Sequence, residues 1–232
     1  MKKYSSILMV VMLMFFSCTD DFLQEKPVTT LTQDYYKTVE GLENLVKGSY
    51  QILRFKSDYN QGNYLFGIGS DVEVFTWSLA DRIAMGGYNP DGWGSQLTGT
   101  RIAPMVNSLI GQVSGGFSEG VYPEVNRCNI FFENYANLSE ANQKKIIARK
   151  GEMLFLRSYS YYLITNVLGD APLMLKSFSG MPDNFAFEKE KMEVIYKQII
   201  RDMREAVDIL PETSTELGRV TKPAAAHLLA KM

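Results

Sequence analysis

Glycine is distributed unevenly along this chain of 232 residues, and that distribution most restricts its fold. Twelve of the eighteen glycines, and both tryptophans, fall between Gly62 and Gly120. A glycine inside a helix or strand costs roughly 0.5–1 kcal/mol relative to alanine, so this block cannot be built from long regular elements. Its centre, Gly86-Gly87-Tyr88-Asn89-Pro90-Asp91-Gly92-Trp93-Gly94, is dense in turn formers. Irregular structure is therefore expected from 57 to 120, with one short helix near Arg101 to Ile110. A loop this long in a compact domain is either functional or disordered. Tyr64, Phe66, Phe75, Trp77, Tyr88 and Trp93 argue against disorder.

On both sides the apolar period is helical. Thr38 can cap a helix with the stripe Leu42, Leu45, Val46, Tyr50 and Leu53. After the glycine block, Val121, Val125, Cys128, Phe132 and Tyr135 share a face. Ser139, with Glu140 in the first turn, predicts one long helix through Ile146, Ile147, Leu154, Tyr161 and Leu168. Gly169 and Pro172 stop it. A further helix carries Met192, Ile195, Ile199, Met203, Ala206 and Leu210 and ends before Pro211. Thr221 with Pro223 opens a last one. The expected fold is mostly α, with tetratricopeptide-like helical hairpins around a long glycine- and aromatic-rich insertion. Ala225, Leu228, Leu229 and Met232 form an apolar face with no later segment to meet it and no C-terminal cap, so the domain is expected to be truncated.

The first residues address the chain. Lys2 and Lys3 precede an uncharged apolar run, Ile7 to Phe16, too short for the ~20 residues that span a bilayer. Phe15-Phe16-Ser17-Cys18 resembles a bacterial lipobox: Ser17 supplies the small residue before Cys, and Phe15 stands where Leu is usual. The expectation is a lipoprotein signal peptide over 1–17, lipidation (palmitate included) at Cys18, a polar tether over 18–32 and a domain over 33–232. The alternative is an ordinary signal peptide that happens to contain a cysteine. A lipid holds a soluble domain at a membrane without a spanning helix.

Composition removes several activities. The net charge is −2, and losing Lys2 and Lys3 leaves 22 basic against 26 acidic residues, with no basic block to hold nucleic acid. With Cys18 lipidated, Cys128 has no disulfide partner and sits on an apolar stripe as a small core residue. A single histidine, His227, cannot assemble a zinc site and has no visible triad. Gly115-Gly116 lacks the Lys-Ser/Thr of a phosphate loop. Asp71 and Glu73 would share a strand face, yet paired carboxylates are common on surfaces and nothing else supports a glycosidase pair. No cofactor or metal is implied.

Gly151-Glu152-Met153-Leu154-Phe155-Leu156-Arg157-Ser158-Tyr159-Ser160-Tyr161-Tyr162-Leu163, followed by Gly169-Asp170-Ala171-Pro172-Leu173, resembles a helix and turn of the SusD (SusD/RagB) family. In that family an acidic residue precedes an aromatic-Leu-Arg step, a Tyr-rich turn and Gly-Asp-x-Pro-Leu. Ser158 departs from the common Ala, and Leu168 stands where an aromatic is usual. Leu42 to Leu53, Asn126 to Asn134 and Gly218-Arg219-Val220-Thr221-Lys222 are similar to flanking parts of the family. The resemblance implies an outer-membrane, surface-exposed lipoprotein without enzymatic activity. Such a protein captures glycans, sometimes peptides, for a TonB-dependent (SusC-like) transporter in nutrient uptake and polysaccharide utilisation. Glu152, Arg157, Tyr161 and Tyr162 are expected to be scaffold.

Ligand contacts are expected in the glycine block instead. Trp93 among turn residues suits an exposed stacking surface for the apolar face of a sugar. Trp77, Asp81, Arg82, Tyr88, Asn89 and Asp91 are its candidate neighbours, and Trp77 fits a buried plug equally well. Three classes stay open: a glycan-binding lid, a tetratricopeptide-like protein-binding scaffold, and a glycoside hydrolase. An exposed tryptophan cluster favours the first over the second, and a carboxylate pair in a cleft would favour the third.

Overall fold

The computed structural model of the chain describes residues 33–55, 120–178 and 187–232. A 3₁₀ turn over Gln33–Lys37 leads into α1 (Val39–Ser49) and the single turn α2 (Ile52–Phe55). After residues 56–119 come α3 (Val121–Ala136), α4 (Glu140–Lys145) and α5 (Ile147–Leu168). α6 (Met192–Ile209) and α7 (Lys222–Leu229) complete the set. Among the described residues no strand forms, only an isolated antiparallel bridge between Ala171 and Glu190. The mostly helical class read from the sequence is the class observed. The chain separates into two units, Met1–Gln33 and Asp34–Met232, and α1–α7 all belong to the second. The expected signal peptide, Cys18, the tether and the Arg101–Ile110 helix lie outside the described residues.

Several boundaries follow local chemistry. Thr38 has extended backbone, and its hydroxyl oxygen accepts the Gly41 N–H at 3.0 Å, satisfying a donor that the first turn leaves orphaned. Gly169 closes α5 at φ 69°, a left-handed conformation open to glycine at little cost. Two boundaries differ from expectation. α1 stops at Ser49, because the chain turns at Tyr50 to send its hydroxyl to Glu152 on α5. The single helix expected from Ser139 breaks at the buried Ile146, at φ −116° and ψ 24°. Ser139 makes no side-chain cap bond there. The short α4 serves the preceding helix instead: the Gln143 amide donates to the carbonyls of Tyr135 and Leu138 at 3.1 Å each. The Tyr135 carbonyl also accepts the Leu138 N–H at 3.1 Å, so the amide reinforces the turn that closes α3.

The core is organised around α5, which packs on α3 along one side and α6 along another. Every residue from Gly151 to Ser158 is buried, as expected for a helix enclosed by neighbours. Met153, Leu156, Tyr161 and Ile164 meet a core that includes Val125 and Phe131 of α3 and Ile195, Ile199 and Met203 of α6. Each such side chain contributes roughly 1.5–3 kcal/mol when fully buried. Phe131, rather than the expected Phe132, is the fully buried member of its pair. Phe132 is half-buried under the Arg157 guanidinium, 4.4 Å from the ring centroid. α7 lies on α6 with Ala225 and Leu228 buried, while His227 is exposed.

Close approach explains Gly151. A Cβ there would stand 2.8 Å from Leu210 Cγ and 3.0 Å from Ile209 Cγ1, whereas one on Gly48 would meet nothing within 4 Å. Both positions gain up to ~1 kcal/mol of helix propensity on becoming alanine, but only Gly151 must displace a neighbouring element. Gly48→Ala is therefore expected to raise the urea midpoint, and Gly151→Ala to lower stability by about 1–3 kcal/mol through overpacking. Equal midpoint shifts for the two variants would contradict the close-packed contact.

Candidate functional site

The motif helix α5 carries polar residues into the core, and each is paired. Glu152, at 2% side-chain exposure, accepts from the Arg149 guanidinium on one oxygen. Its other oxygen accepts from Arg219 at 3.0 Å and from the Tyr50 hydroxyl at 2.6 Å. The Tyr50 oxygen in turn accepts the Val220 N–H at 2.9 Å. Arg149 also reaches Glu43 at 2.9 Å and Glu216 at 2.7 Å, and Arg219 reaches Glu216 at 2.8 Å. Two guanidiniums and three carboxylates thus tie α1, α5 and the α6–α7 loop together. Burial, and then the neighbouring Glu152 carboxylate, push the Tyr50 phenol well above its ordinary range, so it stays a donor.

One turn and a half further along, Arg157 turns to other partners. Its guanidinium pairs with Asp202 of α6 at 2.7 Å and donates to Asn129 Oδ1 of α3 at 3.1 Å. Glu152 and Arg157 therefore do not pair with each other: five residues apart, they point to different neighbours. Burial pushes the Asp202 carboxyl above the usual carboxylate range against the pull of Arg157. Ser158, the departure from the family's Ala, donates to the Ile199 carbonyl of α6 at 3.2 Å.

The same face of α3 straps down the segment after α5. Asn129 Nδ2 donates to the carbonyls of Met174 and Lys176 at 3.0 Å each. Asn126 accepts the Phe178 N–H at 2.9 Å and donates to its carbonyl at 3.1 Å. Glu133 accepts the Ser177 N–H at 2.7 Å, and Tyr122 donates to the Pro172 carbonyl at 3.1 Å. Tyr161 is buried edge-on to Tyr122, and its hydroxyl accepts the Met174 N–H at 2.6 Å. Asp170 accepts the Met192 N–H at 2.9 Å at the head of α6 and pairs with Lys191 at 2.9 Å. The backbone bond, then Lys191, holds its carboxyl below the usual range. Tyr161 is scaffold, and Tyr162 is half-buried against the core.

Glu124, in the first turn of α3, is completely buried. It pairs with Arg127 at 3.2 Å and accepts the Cys128 thiol at 3.5 Å, with the Ser49 hydroxyl beside it. Burial dominates and pushes its carboxyl to about 7. Burial likewise pushes the Cys128 thiol up, which makes it a core residue rather than a reactive one.

The expected ligand residues Trp77, Asp81, Arg82, Tyr88, Asn89, Asp91 and Trp93 lie outside the described residues, as do Asp71, Glu73 and Gly115-Gly116. The described part of the chain provides the frame from which that segment departs after α2 and to which it returns at α3. Sequence reading missed Asp202, Glu124, Arg149 and Arg219 as members of buried pairs. A signal existed for two of them. Asp202 stands between Ile199 and Met203 on the apolar stripe of α6, and Glu124 between Val121 and Val125 on that of α3.

Comparison with known proteins agrees with this frame. Residues 112–232 match the SusD-like family described as starch-binding and associating with the outer membrane. A SusD-like protein of Formosa agariphila is 26% identical over 236 residues, covering 100% of this chain and 43% of its own length. The crystal structure of a SusD superfamily protein from Bacteroides vulgatus superposes with a TM-score of 0.61 at 22% identity, covering 84% of this chain and 39% of that one. A laminarin-binding SusD-like protein does so with a TM-score of 0.58 at 22% identity, covering 83% and 39%. The helical frame is that of a SusD-like scaffold. The chain belongs to the SusD-like family, and it spans less than half the length of these relatives.

The two buried acids make separate predictions. Glu152→Ala removes the one buried carboxylate shared by Arg149, Arg219 and the Tyr50 hydroxyl. It is expected to cost about 3 kcal/mol in chemical denaturation, the lower end of the scale for breaking a buried ion pair, because Glu43 and Glu216 still hold both arginines. Glu216→Ala, at the exposed rim with 53% side-chain exposure, should cost far less. For Glu124 the folded-state value is raised, so the folded state holds the proton more tightly than the unfolded one. Its contribution is present below the ordinary value of 4.5 and is lost as pH rises to about 7. Relative to Glu124→Gln, the wild type should lose up to about 1.4 kcal/mol per pH unit across that window. Parallel stability curves for the two proteins would show that Glu124 does not titrate there.

Proposed function

We propose that this protein is a glycan-binding lipoprotein of the outer membrane, anchored through Cys18 and facing the exterior, that passes glycans to a TonB-dependent transporter. The observation that carries the reading is the family match over residues 112–232, which includes the motif helix and its buried pairs. A relative of the same fold is laminarin-binding, which makes a polysaccharide the natural first ligand to test. The polar groups of α5 are committed to holding helices and strap together, so they have little left with which to contact a sugar or to catalyse its cleavage. Recognition is then assigned to the glycine-rich segment, where Trp93 offers a stacking face and Trp77, Asp81, Arg82, Tyr88, Asn89 and Asp91 offer orientation and hydrogen bonds. No acid–base pair among the described residues suggests hydrolysis, and the protein is read as a binder rather than an enzyme.

Calorimetric titration with laminarin and with starch, with a thermal melt beside each, tests this reading. Trp93→Ala is expected to weaken glycan binding by about 0.5–1.5 kcal/mol, the scale of a specific aromatic contact, with the melt unchanged. Trp77→Ala separates its two readings: weaker binding with an unchanged melt marks a ligand contact, and a lowered melt marks a buried plug. Unaltered affinity in Trp93→Ala would remove the stacking platform, and no binding to any polysaccharide screened would remove the glycan reading. For the anchor, Cys18→Ala should move the protein out of the membrane fraction. Metabolic labelling with palmitate that persists in that variant would place the lipid elsewhere.

A further inference from the structure

The solvent face of α6 carries Lys197, Arg201 and Arg204, three exposed cations at i, i+4 and i+7 that fall on one stripe. With the half-buried Ile200 they line a groove of about 440 Å³. Lys197 is paired with Glu193 at 2.6 Å. Arg201 and Arg204 have no ion pair among the described residues. That sets them apart from Arg149, Arg157 and Arg219, each of which is held by a carboxylate. Two uncommitted guanidinium forks one turn apart are suited to oxyanions, because their donors match carboxylate and sulfate geometry bidentately.

The shape of the groove narrows the ligand. From Lys197 to Arg204 the helix rises about 10 Å, on the order of two linked sugar rings. Ile200 lies between the cations and offers an apolar floor to the C–H face of a ring. Protein partners concentrate their binding energy in well-packed, desolvated pockets, whereas this groove is open and no aromatic lines it. Anionic lipid surfaces are held by clusters of about four to eight cations, more than are present here. Nucleic acid needs a broader basic face than three cations on one helix supply.

We propose that the Lys197–Ile200–Arg201–Arg204 groove of α6 is a second glycan-binding surface, selective for chains bearing carboxylate or sulfate groups. It rests on the glycan-binding reading above but names different residues from those assigned to neutral sugars. The forks of Arg201 and Arg204 would take the anionic groups, and Lys197 would add a point charge exchanged from Glu193.

Native affinity electrophoresis through gels containing dextran sulfate, polygalacturonate, unmodified dextran or laminarin tests the proposal. The protein should be retarded by at least one acidic polymer, less so as salt is raised, and Arg201→Gln/Arg204→Gln should weaken that retention about tenfold. The double variant should keep the wild-type melt, since both side chains are exposed, and should keep any retention on laminarin. Lys144→Gln/Lys231→Gln removes the same charge from other exposed positions and should change nothing. Retention of neither acidic polymer by the wild type, or equal retention by wild type and double variant, would overturn the groove. Loss of acidic-polymer retention in Trp93→Ala but not in the double variant would move the anion to the glycine-rich segment and equally overturn it. The glycan-binding reading itself answers to laminarin and starch, and it survives any of those outcomes.

Discussion

Burying the Glu152 carboxylate creates a demand that only distant parts of the chain can meet. An ionised carboxylate inside a protein is tolerated when its oxygens are paired and hydrogen-bonded, and is costly otherwise. Glu152 obtains its donors from Arg149 on its own helix, Arg219 in the α6–α7 loop and Tyr50 after α1. Tyr50 in turn receives the Val220 N–H, a contact between residues 170 positions apart in the chain. The beginning and end of the described frame are therefore fixed through one acid.

Arg157 repeats the arrangement further along α5. Asp202 neutralises it, Asn129 accepts from it, and the amide of that same Asn129 then holds the Met174 and Lys176 carbonyls. The charge pair that joins α5 to α6 is thereby continuous with the polar contacts that press the strap onto α3. Replacing either pair with apolar side chains of matching volume need not destabilise a protein. What such pairs supply here is register: a shift of α5 along its axis would part Glu152 from Arg219 and Tyr50, Arg157 from Asp202 and Asn129, and Tyr161 from Met174, an error a purely apolar face would tolerate.

Helix existence was legible because the apolar stripes repeat at 3–4 residues, and helix ends were legible where a single residue dictates the backbone. Thr38 and Gly169 are of that kind. The break at Ile146 was hidden, since Ile146 lies on the apolar stripe expected of a continuous helix. The break serves the Gln143 amide, whose acceptors belong to α3 and the turn after it. The stop at Ser49 was hidden for the same reason, its cause being Glu152, far along the chain. Partners of buried charges follow from three-dimensional proximity, which spacing along one helix does not encode. The resemblance carried by Gly151 to Leu173 nevertheless marked the residues on which the frame depends.

The buried polar side chains of the described helices are almost all committed to one another, Ser49 Oγ excepted. Glu43, Glu152 and Glu216 are held by arginines, Asp202 by Arg157, and Asn126, Asn129 and Glu133 by the strap. A frame so fully occupied with itself is a rigid support, and groups that recognise a ligand are better sought among those it leaves unused. The glycine-rich segment supplies both tryptophans of the chain. The outer face of α6 supplies two arginines that no carboxylate holds among the described residues. Aromatic faces and open guanidiniums select different features of a sugar chain, its apolar ring face and its charged substituents. A binder that kept the two on separate elements could discriminate acidic from neutral glycans by changing a few exposed side chains, without disturbing the pairs that hold its helices in register.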